Sequence, residues 1–293
     1  MKLGPVVVAG AATIAVVRVA GKLARQRSER RSVDRQRGDI VRANALAAVD
    51  AALRHPVTEP EIAIVIAALD EEEAIADVLA ALPTELCGYR VTPIVIVDGG
   101  TDDTAGVVAR AGHVTVRHEV NRGQGDALCT GFALALERGS SIVVTMDADG
   151  QHRPEELPLL LEPILAGDAD YVQGSRYLGA YEDQGGARDI GIRAFTALIN
   201  TASGANITDC TNGFRAIRSD PLARLRLEEP RFSAAELLME SARQDLRIRE
   251  VPVHIRSRSH GESKKPQRMA YPLGYLGTIV RTWRRSVGRA ARA

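Results

Sequence analysis

Acidic and amide side chains collect at four places, each at the end of an apolar run or soon after it. Leu69-Asp70-Glu71 follows the run at residues 62–68, and Asp98-Gly99-Gly100-Thr101-Asp102-Asp103 follows residues 93–97. Asn121-Arg122-Gly123-Gln124-Gly125 comes soon after residues 114–117, and Asp147-Ala148-Asp149-Gly150-Gln151 ends residues 141–146. Carboxylates brought together repel unless a cation lies between them. Two carboxylates spaced D-x-D in a turn can face one hard divalent cation, and the Gln151 amide can add an oxygen. Magnesium and manganese favour such ligands, and a phosphorylated ligand completes the charge balance. An ordinary turn at Asp149-Gly150 is the plain alternative for an isolated D-x-D; the other three polar run-ends weigh against it. Gly123-x-Gly125 lacks the third glycine of a dinucleotide fingerprint and the Lys-Ser/Thr of a P-loop. It lets a helix start closely, with N–H groups free for an anion.

The runs that carry these residues are β-rich and short, and Tyr171–Gly174 adds another. Helical patterns lie between them, at Glu72–Leu82, Asp103–Ala111, Gly125–Arg138 and Pro154–Ala166. Such alternation predicts an α/β domain, with a mostly parallel Rossmann-like sheet flanked by helices. Open sheets of this kind bind ligands at the carboxyl ends of their strands, which is where the acids fall.

The chain has 293 residues, 45% of them apolar. That suffices for one large domain or two small ones and excludes disorder as the main state. Cys87, Cys129 and Cys210 are odd in number and far apart. They draw neither a disulfide framework nor a CxxC zinc site, which fits a reducing compartment. The net charge of +1 hides an asymmetry: residues 43–253 hold 18 Lys/Arg against 33 Asp/Glu, and both ends are basic. An acidic body argues against nucleic-acid binding, which needs a basic stripe. Basic ends beside apolar segments suit an anionic membrane surface.

Residues 3–17 are uncharged. At about 1.5 Å per residue they span roughly 22 Å, or roughly 27 Å if Arg18 snorkels, against a hydrocarbon core of about 30 Å. Residues 1–21 are thus a candidate N-terminal membrane anchor, with a removed signal peptide or a packed tail as alternatives. The basic load that follows favours a cytosolic body. Residues 22–58 read as a charged helical linker, 59–268 as the catalytic domain and 269–293 as a basic amphipathic helix. In that helix Leu273, Leu276, Val280, Trp283 and Val287 form one stripe. An interfacial helix and a terminal helix packed on its own domain both fit.

From about Ile62 to Lys264 the chain resembles the family 2 glycosyltransferases of GT-A fold, specifically the polyprenyl-phosphate hexosyltransferases such as dolichyl-phosphate mannose synthase. The motifs come in the family's order. Ile64–Glu72 is similar to V-I-P-A-x-N-E-E, Val97–Asp103 to V-D-D-G-S-x-D, and Asp147–His152 to the metal site. Gly174–Tyr177, Asp209–Arg215, Glu250–Val253 and Arg258–Lys264 follow. Departures are Ala67 for Pro, Asp70 for Asn, Gly99 for the second Asp, Gln124 for a frequent Lys, and Asn212 for Ser.

The resemblance implies roles. Asp147, Asp149 and Gln151 would bind the divalent cation, Mg or Mn. Leu69, Glu71, Asp98, Gly125 and Ala148 would line the donor site, with Asp98 accepting from the base. Arg176, Arg188, Arg258 and Lys264 would hold the acceptor phosphate, for which guanidinium forks are suited. Asp149, Asp209 and Arg258 would be the catalytic set. Asp209 or Glu236 could act as base toward a hydroxyl acceptor, or each could be structural, Asp209 orienting the Thr211–Arg215 loop and Glu236 pairing with an arginine. The implied reaction moves a hexose, with inversion, from a nucleotide-diphosphate sugar to a polyprenyl phosphate at the cytoplasmic face of the cell membrane. A family 2 enzyme acting on a hydroxyl acceptor and a non-catalytic membrane scaffold are the alternatives. A sugar-nucleotide pyrophosphorylase would need a G-G-x-G-T-R loop over the first strand, and residues 62–73 have none.

Overall fold

The computed structural model describes residues 56–182, 186–257 and 270–290. The expected anchor, nearly all of the linker, Arg258 and Lys264 therefore lie outside the described residues.

Among the described residues, β-branched runs build one sheet of eight strands. β1 (Glu61–Ala68), β3 (Tyr89–Asp98), β4 (Val114–His118) and β5 (Ile142–Asp147) are parallel, with β1 between β3 and β5. The two-residue β2 (Glu85–Leu86) folds back antiparallel on the start of β3. Beyond β5 the order is β7 (Arg215–Arg218), β6 (Tyr171–Tyr181) and β8 (Ile248–Ile255). β7 is antiparallel to both β5 and β6, whereas β6 and β8 are parallel. The sheet is thus mixed, and it remains mostly parallel.

Helices cover both faces, as alternation requires when both are buried. On one face lie α1 (Ile75–Ala80), α2 (Thr104–Arg110) and α4 (Leu157–Leu165), packed through Ile75, Val108 and Leu160 against Ile64, Val95 and Val144. On the other lie α3 (Gln124–Arg138), α5 (Ala187–Ser203), α7 (Ser233–Arg243) and α8 (Ala270–Ala290). The four-residue α6 (Ser219–Leu222) follows β7. Each fully buried Leu or Ile contributes about 1.5–3 kcal/mol, so these two layers hold the strand ends rigidly in place. α3 lies close on the sheet at Gly131, where a Cβ would come 2.2 Å from Val65 Cγ1. That approach aims the start of α3 at the polar end of the sheet.

Of the two expectations for the last helix, α8 shows the packing on its own domain. Tyr275, Thr278, Ile279 and Thr282 are buried against the domain. Leu276, Val280 and Trp283, three members of the sequence stripe, are 40%, 37% and 44% exposed. The side chains of Leu273 and Val287 are outside the described residues. Among the described residues no helix is long and apolar enough to cross a membrane.

Candidate active site

The loops after β1 and β3 latch onto each other at the carboxyl end of the sheet. Asp70, at φ 48, turns its Oδ1 to accept the N–H groups of Thr101 (2.6 Å) and Asp102 (3.4 Å). Glu71 N–H donates to Thr104 Oγ1 at 2.9 Å, and Asp103 N–H donates to Glu72 Oε2 at 2.8 Å. Gly99 has φ 77, and a Cβ there would lie 2.6 Å from Asn121 N. A larger residue would be strained and would collide, so this departure from D-D-G-S is built into the packing. Leu69 is half-buried at the start of the first loop.

Asp98 ends β3 and is 4% exposed. Its Oδ1 accepts from His118 Nδ1 (2.7 Å) and Arg122 N–H (3.0 Å), and its Oδ2 from Gly123 N–H (2.7 Å). Burial pushes the carboxyl up, but the bonds from His118 and the two backbone groups more than offset it and hold it below the usual range. Asp98 therefore fixes the Arg122–Gly123 turn. Gly125 N–H donates to Pro230 O at 2.8 Å. The expected free N–H groups at Gly123 and Gly125 are thus corrected: both are bonded within the fold. His118 was not singled out from the sequence. Its other nitrogen, Nε2, faces Thr130 Oγ1 at 3.1 Å. The signal was the period of two in β4, where Val116 and His118 share the inward face and are both 3% exposed.

The D-x-D corner follows β5 directly. The Asp147 side chain is 25% exposed, and Gln124 Nε2 donates to its Oδ1 at 3.3 Å. Asp147 N–H donates to His152 Nδ1 at 3.1 Å, while the His152 ring stacks on Phe214 at 5.0 Å. A Cβ on Gly213 would lie 2.7 Å from Asp147 Oδ1, so the glycine keeps room for that carboxylate. Asp149 is 4% exposed and its Oδ1 accepts Gln151 N–H at 3.1 Å. Ala148 between them is buried in the core. Gln151 donates its side-chain Nε2 to Arg256 O at 2.9 Å, tying the corner to the end of β8. Among the described residues no three His, Cys, Asp or Glu side chains form a metal-sized cluster. The all-oxygen donor pair of Asp147 and Asp149 suits magnesium or manganese, which take one or two carboxylates and fill the remaining positions from water and substrate phosphate.

Across β6 the polar residues form a closed network. Arg176 Nε donates to Asp209 Oδ2 at 2.6 Å, and its NH2 donates to Thr211 Oγ1 at 3.2 Å. Asp209 is fully buried, and its Oδ1 accepts Thr211 N–H at 3.2 Å. This is the geometry of a carboxylate that orients the 208–213 loop, with no side open to an incoming hydroxyl. Glu250, which sequence reasoning left without a role, accepts Thr208 N–H (2.7 Å) and Asp209 N–H (3.0 Å) and so fixes the same loop. Glu236 is fully buried and pairs with Arg285. Arg188 stands in the first turn of α5, and its side chain is outside the described residues.

The sequence model of "Glycosyl transferase family 2" matches residues 63–226. An undecaprenyl-phosphate mannosyltransferase of Micrococcus luteus is 36% identical over 183 residues, 58% of this chain and 74% of that protein. A dolichyl-phosphate hexose transferase of Haloferax volcanii is 33% identical over 207 residues, 71% of this chain and 87% of that protein. The crystal structure of glucosyl-3-phosphoglycerate synthase from Mycobacterium tuberculosis, in complex with Mn2+, UDP and glucosyl-3-phosphoglycerate, superposes with a TM-score of 0.59. It is 23% identical and covers 77% of this chain and 80% of its own, a likeness of fold. With the match covering more than half of its length, the chain belongs to glycosyl transferase family 2 and is a glycosyltransferase.

Proposed function

We infer that the protein transfers a hexose from a nucleotide-diphosphate sugar to a polyprenyl phosphate, with inversion, at the cytoplasmic face of a membrane. The observation that carries this reading is the contrast among the carboxylates at the sheet's end. Asp147 is partly open, whereas Asp209 and Glu236, the base candidates for a hydroxyl acceptor, are fully buried and paired with arginines. A phosphate acceptor needs little base help, since its second pKa is about 6. The M. luteus and H. volcanii relatives are named for undecaprenyl- and dolichyl-phosphate substrates. The exposed Leu276, Val280 and Trp283 of α8, with exposed Arg281 and Arg284 beside them, support a membrane-facing surface.

In this reading Asp147 and Asp149 hold the divalent cation, and Gln124 stands against Asp147. The cation, when bound, offsets the charge that builds on the leaving diphosphate. Asp98 sets the turn that borders the nucleoside side, in addition to any contact with the base. Asp209 and Glu250 hold the 208–213 loop, placing Gly213 against Asp147. Arg188, Arg258 and Lys264 remain the proposed partners of the acceptor phosphate, with Arg176 committed first to Asp209. A panel of radiolabelled nucleotide sugars, incubated with undecaprenyl phosphate and extracted into organic solvent, tests the reading. Label in the lipid phase is expected for one sugar; label only on soluble hydroxyl acceptors would reject it.

A further inference from the structure

The Gly123–Gly125 turn on the donor side is backed by a short strap of chain, residues 228–231, and the contact is backbone to backbone. Pro230 O accepts Gly125 N–H at 2.8 Å. A Cβ on Gly123 would lie 2.4 Å from that same oxygen, and a Cβ on Gly125 would lie 2.1 Å from Glu229 O. The strap cannot shift without displacing the turn. On its other side the turn carries Gln124, whose amide reaches Asp147 at 3.3 Å.

What fixes the strap is a set of charges on α7 and α8, in which the buried Glu236 and Glu229 are met by arginines that reach in from the surface. Glu236 of α7 accepts Glu228 N–H at 2.9 Å and Glu229 N–H at 2.8 Å. The Glu229 carboxylate accepts from Thr278 Oγ1 at 3.0 Å and from Arg281 Nε at 2.8 Å, both on α8. Arg285, one turn further along α8, donates to Glu228 Oε2 at 2.7 Å and also to Glu236. Burial pushes the Glu229 carboxyl up, and the bonds from Arg281 and Thr278 bring it below its ordinary range. Strap, α7 and α8 thus form one continuous hydrogen-bonded unit beneath the donor-side turn.

We propose that the Glu229–Arg281 clamp is a positioning device for the donor site. Through Pro230 it sets the place of Gly123–Gly125 and of the Gln124 amide against Asp147. Glu229 and Arg281 are positioning residues for nucleotide binding, and α8, whose outer stripe is apolar, is mechanically tied to that site. This deepens the reading given above and rests on its donor-side assignment.

The test is calorimetric binding of UDP and of GDP, each with Mn2+, to the full chain. The variants are Glu229→Gln, Arg281→Ala, Arg281→Lys and the Glu229→Gln/Arg281→Ala double. Each single removal is expected to weaken nucleotide binding about tenfold, an effect of the size seen for coupled neighbours. The double is expected to be no weaker than the worse single, and Arg281→Lys to recover part of the loss. Arg138→Ala is the control. It breaks a buried pair, with Glu61, at the opposite end of the sheet, and should lower thermal stability with affinity unchanged. If Arg281→Ala binds as tightly as the wild type, or loses no more affinity than Arg138→Ala at a matched loss of stability, the clamp is merely structural. A wild-type chain that binds neither nucleotide would overturn the donor-side assignment and the clamp together.

Discussion

Glu61 and Asp147 stand at opposite ends of two paired parallel strands, and both are acidic. Glu61 opens β1 and is fully buried, with Arg138 NH2 (2.8 Å), Ser140 Oγ (2.7 Å) and Thr92 Oγ1 (2.7 Å) donating to it. Asp147 closes β5 and keeps a quarter of its side chain exposed, beside a glycine that leaves it space. One carboxylate has its acceptor capacity filled by the fold; the other is presented at the ligand end. The comparison shows that a buried acid alone does not mark a site. What marks it is an acid left accessible at the carboxyl end of a parallel strand, in a structure able to fill its lone pairs elsewhere.

The sharpest way to break this contrast is to remove the ligand-end acid. Asp147→Ala is expected to cut transfer by at least about a hundredfold while the circular dichroism spectrum and melting temperature stay near wild type. Full activity of that variant in a radiolabel assay would place the metal elsewhere. At the other end, Arg138→Ala leaves the buried Glu61 without its cation, and should cost about 3 kcal/mol of unfolding free energy by denaturant titration. Its transfer rate per folded molecule should be unchanged.

Gly213→Ala sharpens the comparison further. The new Cβ meets the end of the Asp147 side chain, which can rotate away, so stability should change little. kcat/KM should fall about tenfold because the carboxylate is displaced. At Gly125, by contrast, a Cβ meets the backbone of Glu229, so Gly125→Ala should lose stability as well as donor affinity. Equal melting temperatures for the two variants would contradict the assignment.

The smallest effect is in pH dependence. Burial raises the Glu61 carboxyl, but Arg138, Ser140 and Thr92 together hold it below its ordinary value. Its contribution is therefore complete above the ordinary glutamate value of about 4.3 and lost as pH falls through the lower folded-state value. The stability gap between wild type and Arg138→Ala should be largest near neutral pH and shrink on acidification, as the carboxyl that Arg138 stabilises is protonated. A gap that widened on acidification would reverse the assigned sign.

The first half of the domain is legible because its strands are long apolar runs with polar ends, so the sequence alone puts Asp98, Asp147 and Asp149 at strand ends. The second half is legible mainly through its motifs. β7 is only Arg-Ala-Ile-Arg, too short for a period-two pattern, and Arg215 is a buried residue that reads as a surface one. α8 hides its inward face behind Thr278 and Thr282, which look solvent-facing in a sequence. The Asp209–Arg176 pair and the Glu229–Arg281 clamp join residues 33 and 52 positions apart, and no local spacing signals such partners.

The central claim is that a cation held at Asp147 and Asp149 enables hexose transfer to a lipid phosphate. The direct measurement is lipid-phase radiolabel from a nucleotide sugar and undecaprenyl phosphate, with manganese, with chelator, and with manganese restored after chelation. The account predicts label, then none, then label again. Undiminished label in the presence of chelator would contradict it.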